Sequence, residues 1–233
     1  MEVVPEKLYG VITGDVVGST KLEPNARARL LDVMHEASRQ IRLHFRHDVP
    51  LEVEVFSGDS WQMLVADPGR VFRVGLFYRA YLLSEMNLRG FDTRMAIAVG
   101  TVDFVPGERV SEAEGPAFRG SGRLLQEMTT GGSAHARARV RFMGPDPSSA
   151  DSLAWDACAL LLDAIVQKNW SAGRARAITG ALRSIKQETI GELWDPAIRQ
   201  AGVAQHLRGA EWGAINGLLD RFETVWANRS SNG

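Results

Sequence analysis

The sequence predicts an α+β protein in which a strand-and-helix sandwich is followed by a small all-α unit. Three observations predict it. Short β-branched apolar runs alternate with amphipathic helical patterns as far as residue 143, a Gly-Pro-Asp-Pro-Ser-Ser stretch at 144–149 reads as a linker, and every later pattern has helical period. A chain of 233 residues can bury one good core, or one core plus a small appended module.

The runs LYGVITGDVVGST at 8–20 and LEVEVFSGDSWQMLV at 51–65 each stop at a Gly-Asp pair. Each therefore reads as a strand delivering one carboxylate, Asp15 or Asp59, to a strand end. Side by side, two such strands would place both carboxylates at one edge of a sheet. Hard oxygen ligands arriving in pairs from rigid strands suit Mg2+ or Mn2+, and such an ion suits a phosphate. Gly18, Ser19 and Thr20, turning from the first strand into a helix, offer backbone N–H groups and hydroxyls for a triphosphate. The plainer alternative is that each Asp caps a helix or sits solvated in a turn.

Taken in order, Pro24 and Asn25 open a helix through residue 46, apolar at Leu30, Leu31, Met34, Ile41 and Phe45. His35, His44 and His47 occupy its arginine-rich opposite face and form no ligand set. Strands at 51–56 and 61–65, with a turn at 57–60, form a hairpin carrying Asp59 at its tip. Asp67-Pro68-Gly69 leads into a core helix at 70–86, and TRMAIAVGTV at 93–102 reads as a central strand. After a polar loop, Gly115 opens a helix in which Arg119 and Arg123, four apart, share one face suited to gripping an anion. Two solvated surface arginines are the alternative. A Gly131-Gly132 break and a strand at 137–143 follow. This order is that of a ferredoxin-like sandwich, with domains expected at 1–145 and 146–233.

The second domain is expected to be helical throughout. Helices at 186–193 and 197–208, separated by a tight turn around Asp195-Pro196, form a helix-turn-helix pattern presenting Arg199, Gln200, Gln205 and Arg208 as DNA-binding candidates. A dimerisation or packing module fits the same pattern, since residues 150–233 hold nine basic and nine acidic residues and no positive stripe. Overall, Lys+Arg 27 against Asp+Glu 28 excludes a global electrostatic drive toward nucleic acid or anionic membranes. The single cysteine, Cys158, permits neither an intramolecular disulfide nor a thiolate metal site, and no run reaches transmembrane length. The expectation is a cytoplasmic protein with no membrane partner.

Together these motifs resemble the class III nucleotidyl cyclases and the wider group of palm-type domains. ITGDVVGST is similar to the cyclase strand-loop whose Asp binds metal, and SGDSWQMLV to the hairpin with the second metal Asp. TRMAIAVGTVD resembles the strand R-x-G-x-x-x-G-x-V, and GPAFRGSGRLL the helix bearing the phosphate-binding arginine. The GPAF helix, Trp170-Ser171 and KQETIGELWDPAIRQAGVAQHL further resemble the SatD family, in which a C-terminal helix-turn-helix follows.

The resemblance implies a nucleotide-cyclase/palm-type sandwich in a head-to-tail homodimer. It implies metal at Asp15 and Asp59 with the Val16 carbonyl, phosphates at Gly18, Ser19 and Thr20, a purine at Glu112, and a transition-state arginine at Arg123. Arg119 stands where the cyclases carry an asparagine, and Val55 where they carry a base-reading Lys or Glu. The implied function is a metal-dependent nucleotidyl cyclase or nucleotidyltransferase acting on a nucleoside triphosphate with pyrophosphate release. The alternatives are a non-catalytic, nucleotide-sensing, DNA-binding transcriptional regulator and a cyclase-like dimerisation scaffold.

Overall fold

The computed structural model describes residues 2–56, 58–130 and 137–230. In chain order the elements are β1 (Tyr9–Val16), α1 (Pro24–Phe45), β2 (Glu54–Phe56), β3 (Ser60–Val65), α2 (Val71–Met86), β4 (Thr93–Gly100), α3 (Pro116–Thr129) and β5 (Val140–Met143). Five helices follow: α4 (Ala150–Asn169), α5 (Ala172–Leu182), α6 (Gln187–Gly191), α7 (Gln200–Gly209) and α8 (Trp212–Ser230). One five-stranded sheet runs β2-β3-β1-β4-β5, with its first four strands antiparallel and β5 parallel to β4. The mixed α+β class is what folds. The Gly131-Gly132 break lies outside the described residues, as does Ser57 of the expected hairpin turn.

Period-two alternation in β1 divides the core. Ile12 and Val16 face α1 and α2 and join the large cluster that includes Met34, Ile41, Phe77 and Met95. Tyr9 and Val11 face the other way and pack with Ala117 and Phe118 of α3. Asp15 shares the parity of Val11 and Thr13, so it projects on the α3 side. The Gly-Asp pair does not end the strand, because β1 continues through Val16. Gly14 is small for packing: a Cβ there would lie 2.3 Å from the Trp61 ring and 2.5 Å from the Arg94 carbonyl.

The hairpin strand β2 starts at Glu54 rather than at residue 51, because α1 takes the place of a strand partner. Ser38 Oγ accepts from the Val53 N–H at 3.2 Å and reaches the Val53 carbonyl at 3.3 Å. At the other edge, α4 caps the outer side of β5. Asp156 accepts from the Phe142 N–H at 2.9 Å, Ser152 from the Gly144 N–H at 2.8 Å, and Asp163 from the Arg139 N–H at 2.6 Å. Capping by a helix removes an exposed edge that would otherwise pair with another chain.

The helices after residue 146 share this core. Phe222 of α8 meets Phe72 of α2 at 4.6 Å, Trp155 of α4 at 4.8 Å and Phe142 of β5 at 5.6 Å between ring centroids. Arg73 reaches Asp220 and Glu223 of α8 at 3.1 and 2.6 Å. Fully buried Arg79 bridges Asp92 and Asp163, tying α2 to the start of β4 and to α4. The connection between α6 and α7 departs from the expected tight turn. Both helices are shorter than the sequence pattern suggests, and residues 192–199 between them are non-helical. Gly191 lies so close to this segment that a Cβ there would sit 2.2 Å from the Ile198 carbonyl oxygen. Among the described residues no helix is long and apolar enough to cross a membrane.

Candidate metal and nucleotide site

The register places the two expected carboxylates together. Asp15 is opposite Ser60 of β3 and opposite Arg94 of β4, and Asp59 directly precedes β3. The Val16 N–H donates to the Asp59 carbonyl at 3.0 Å, fixing the hairpin tip against the end of β1. Gly58 takes the left-handed conformation, φ 80°, that lets the tip turn. The Asp15 backbone is anchored as well: Thr93 Oγ1 donates to its carbonyl at 2.7 Å and accepts from Trp61 Nε1 at 3.0 Å.

Each carboxylate has one oxygen held by the protein. Arg94 Nη1 donates to Asp15 Oδ2 at 2.8 Å, and Ser19 Oγ donates to Asp59 Oδ2. The other oxygens are differently placed. Among the described residues, Asp15 Oδ1 is buried with no hydrogen-bond partner, and Asp59 Oδ1 has only the Ser60 hydroxyl at 3.4 Å. Burial holds the Asp15 carboxyl above its ordinary value and the negative charge of Asp59 adds to the rise, against Arg94, which pulls it down. A buried, unpaired oxygen beside a second carboxylate fits a hard divalent cation. Among the described residues no group of three or more His, Cys, Asp or Glu gathers for a metal. Two carboxylates with the remaining positions left to phosphate and water oxygens is the pattern by which Mg2+ is usually held.

The loop expected to hold phosphate has a different local job for one of its members. Gly18, at φ 68°, starts a single 3-10 turn over Ser19–Lys21, and Ser19 is buried toward Asp59 while Thr20 is exposed. Arg27 of α1 clamps this turn by donating to the Ser19 and Thr20 carbonyls at 3.3 and 3.1 Å. Val16 buries its side chain in the α1–α2 layer.

Among the described residues no ion pair or hydrogen bond joins Arg119, Arg123 or Glu112 to Asp15 or Asp59. The helix α3 that carries both arginines crosses β1 at Thr13, whose hydroxyl meets Ser121 at 2.8 Å. Arg119 and Arg123 line a cleft of about 330 Å³ with Gly100, Pro116 and Met143. Arg119 pairs there with Asp103 at 3.5 Å, and Arg123 lies 4.0 Å from Glu127. Their shared helix face is as the spacing of four requires. Glu112 pairs with Arg109 and lines a separate groove of about 650 Å³ with Val55, Arg39 and Arg42. The loop carrying it is pinned by Glu54, which accepts from the Val110 and Ser111 N–H groups at 2.8 and 3.0 Å.

Arg199, just before α7, and Gln200, Gln205 and Arg208 on it are all exposed, while Val203 and Leu207 of the same helix are buried. His206 stacks on Trp194 at 5.3 Å between centroids. Sequence reasoning missed Arg94, Thr93 and Arg27 as parts of the site. The signal for Arg94 was a charge inside the otherwise apolar run 93–100, at the position that antiparallel pairing sets against Asp15.

Among solved structures, the chain is similar to the guanylyl cyclase Cya2, at 17% identity and a TM-score of 0.41, over 54% of this chain and 73% of that one. No protein-family model matches the chain, and no curated protein matches it.

Proposed function

We propose that this chain is a metal-dependent nucleotide-binding protein of the nucleotidyl cyclase or nucleotidyltransferase class, working as a homodimer on a nucleoside triphosphate. The observation that carries the reading is the buried, unpartnered Oδ1 of Asp15 beside Asp59, where the end of the central strand β1 meets the start of β3. A divalent cation bound there would neutralise phosphate charge and ease deprotonation of a ribose hydroxyl. The protein's own part is orientation. Arg94 and Ser19 each hold one carboxylate oxygen so that the other is presented, and Gly18, Ser19 and Thr20 border the space for phosphates. The ribose oxygen attacks the α-phosphorus, its proton passes to water, and the bond to the departing pyrophosphate breaks.

Arg119 and Arg123 would stabilise the charge that grows on the phosphates. Within one chain they pair with Asp103 and Glu127 rather than with the carboxylate site, and on this reading they arrive from a second, head-to-tail copy, together with Glu112. On this reading residues 1–145 form a cyclase/palm-type sandwich, the chain is SatD-like and it works in the cytoplasm. The exposed row Arg199, Gln200, Gln205 and Arg208 supports a second reading, a nucleotide sensor that binds DNA through α7.

The test is mass spectrometry of the protein incubated with Mn2+ and each of the four ribonucleoside triphosphates, beside Asp59→Asn. A cyclic or linked nucleotide made by the wild type and lost in the variant supports turnover. Metal-dependent nucleotide binding without product favours the sensor, which then requires Arg199→Ala or Arg208→Ala to abolish binding to DNA of the protein's own operon. No binding at all leaves the dimerisation scaffold.

A further inference from the structure

A cleft of about 630 Å³ lies between the end of α2, the loop into β4 and the junction of α4 and α5. Its size is that of a small-molecule site. Leu88, Phe91, Val166 and Trp170 give it an apolar wall, and Arg89 and Arg139 line it as cations. The wall is firm where Phe91 and Val166 are buried, and Leu88, although apolar, is 42% exposed. The Trp170 ring is fixed by its Nε1–H, which donates to the Ala210 carbonyl at 3.1 Å.

Arg139 lacks an acceptor inside the chain. About a fifth of its side chain is exposed, and among the described residues its guanidinium makes no hydrogen bond, with Asp92 Oδ2 standing 3.9 Å away. The carboxylates near it are already engaged. Arg79 holds both oxygens of Asp92 at 2.8 and 2.7 Å, and Asp163 accepts from Arg79, from the Arg139 N–H and from Gln167. Burial holds the Arg139 guanidinium below its ordinary value, and the charges of Arg94 and Arg79 add to the fall, against Asp92 and Asp163. Donors buried without a partner are costly, so an oxygen from a ligand is what this group is short of. Arg89 is exposed and likewise has no partner among the described residues. Two arginines against Asp92 leave the lining one positive charge, which matches a monoanion rather than a polyphosphate. A planar carboxylate meets a guanidinium fork with two parallel bonds, and a flat apolar body covers the wall beside it. We infer that this cleft binds a small organic carboxylate with a planar apolar body, its charge held by Arg139 and Arg89. Bound there, it ties the loop at 87–92 to α4 and α5. The inference stands apart from the metal–nucleotide reading.

The experiment is isothermal titration calorimetry of 2-naphthoate into the full chain, with 2-naphthamide as its uncharged twin and acetate as the carboxylate without a body. Wild type, Arg139→Met, Arg139→Lys, Arg89→Ala and Arg46→Ala are compared after circular dichroism has shown each to be folded. Wild type is expected to bind 2-naphthoate, and to bind 2-naphthamide and acetate at least about tenfold more weakly. Arg139→Met weakens 2-naphthoate by about tenfold or more, and Arg139→Lys, which keeps the charge but not the fork, weakens it by less. Arg89→Ala, at an exposed position, weakens it by about two- to fivefold. Arg46, an exposed arginine outside the cleft, reads general attraction of the anion, and Arg46→Ala is expected to bind as wild type does. An unchanged affinity in Arg89→Ala or in any folded Arg139 variant overturns the inference, as does an equal loss in Arg46→Ala. So does 2-naphthamide or acetate binding as tightly as 2-naphthoate, or wild type binding no 2-naphthoate up to about 10 mM. Should Arg139→Met fail to fold, Arg139→Lys and Arg89→Ala carry the test.

Discussion

Replacing Arg79 by methionine removes the cation from the best-buried ionic cluster of the fold. Its side chain is fully buried and makes three short bonds: Nε and Nη2 to the two oxygens of Asp92 at 2.8 and 2.7 Å, and Nη1 to Asp163 at 2.8 Å. Methionine fills much of the volume but leaves Asp92 and Asp163 facing each other around an apolar chain. Breaking a buried pair by removing one partner costs about 3–5 kcal/mol. For a chain of this size each kcal/mol lowers the melting temperature by about 2–4 °C, so a fall of about 6–20 °C is expected. Arg79→Lys keeps the charge but cannot hold both carboxylates in a planar fork, and it should fall between the two. Thermal unfolding followed by circular dichroism reads both variants at pH 7. A melting temperature for Arg79→Met within 2 °C of wild type, a limit of about 0.5–1 kcal/mol, would refute the reasoning, because the cluster would then contribute far less than a broken buried pair should cost.

Three further outcomes are expected. Gly14→Ala drives a Cβ to within 2.3 Å of the Trp61 ring and 2.5 Å of the Arg94 carbonyl, and should lower stability by about 2–3 kcal/mol in a urea titration followed by tryptophan fluorescence. An unchanged midpoint would show that the strand can shift to make room. Asp156→Ala frees the Phe142 N–H and leaves Arg141 without its 2.8 Å partner, at a cost of about 2 kcal/mol. Light scattering should also detect self-association through the uncovered β5 edge, and a variant as stable and monodisperse as wild type contradicts the capping argument. Burial and the nearby Arg174 hold the His206 imidazole below its ordinary value of 6.5. The unfolded chain then binds the proton more readily than the folded one, so this histidine's contribution to stability is present above pH 6.5 and is lost as pH falls through the lower folded value. A proton NMR titration of His206 with its midpoint at or above 6.5 would reverse that sign.

Elements with their own strong periodicity were legible in the sequence. The runs at 93–100 and 71–86 announce β4 and α2 because apolar residues recur at the strand or helix period and turn residues bound them. The meeting of Asp15 and Asp59 was legible too, since an apolar strand followed by a hairpin leaves few other ways to pair. What could not be read is whatever depends on register between distant segments. Arg94 faces Asp15 only because β1 and β4 pair as Tyr9 with Gly100, and a shift of one residue would send it to the opposite face of the sheet. Ser38 standing in for a strand partner of Val53 is likewise a tertiary event, and it shortened β2 against a clear β pattern.

The long-range ionic contacts follow the same rule, with a consequence for how the site and the C-terminal helices are joined. Asp163 lies mid-helix in an apolar run where the sequence offers it only Gln167, one turn on, yet it also accepts from Arg79 and from the Arg139 N–H. Arg139 stands 3.9 Å from Asp92 and close enough to Arg94 to feel its charge. From Asp15 through Arg94, Arg139, Asp92 and Arg79 to Asp163, charged side chains alternate or crowd along the start of β4 and end on α4. Interactions among partly buried groups of this kind are screened less by solvent than those of exposed ones. The charge carried at the carboxylate site and the packing of the C-terminal helices therefore belong to one electrostatic system, built by the pairing of strands rather than by any contiguous motif.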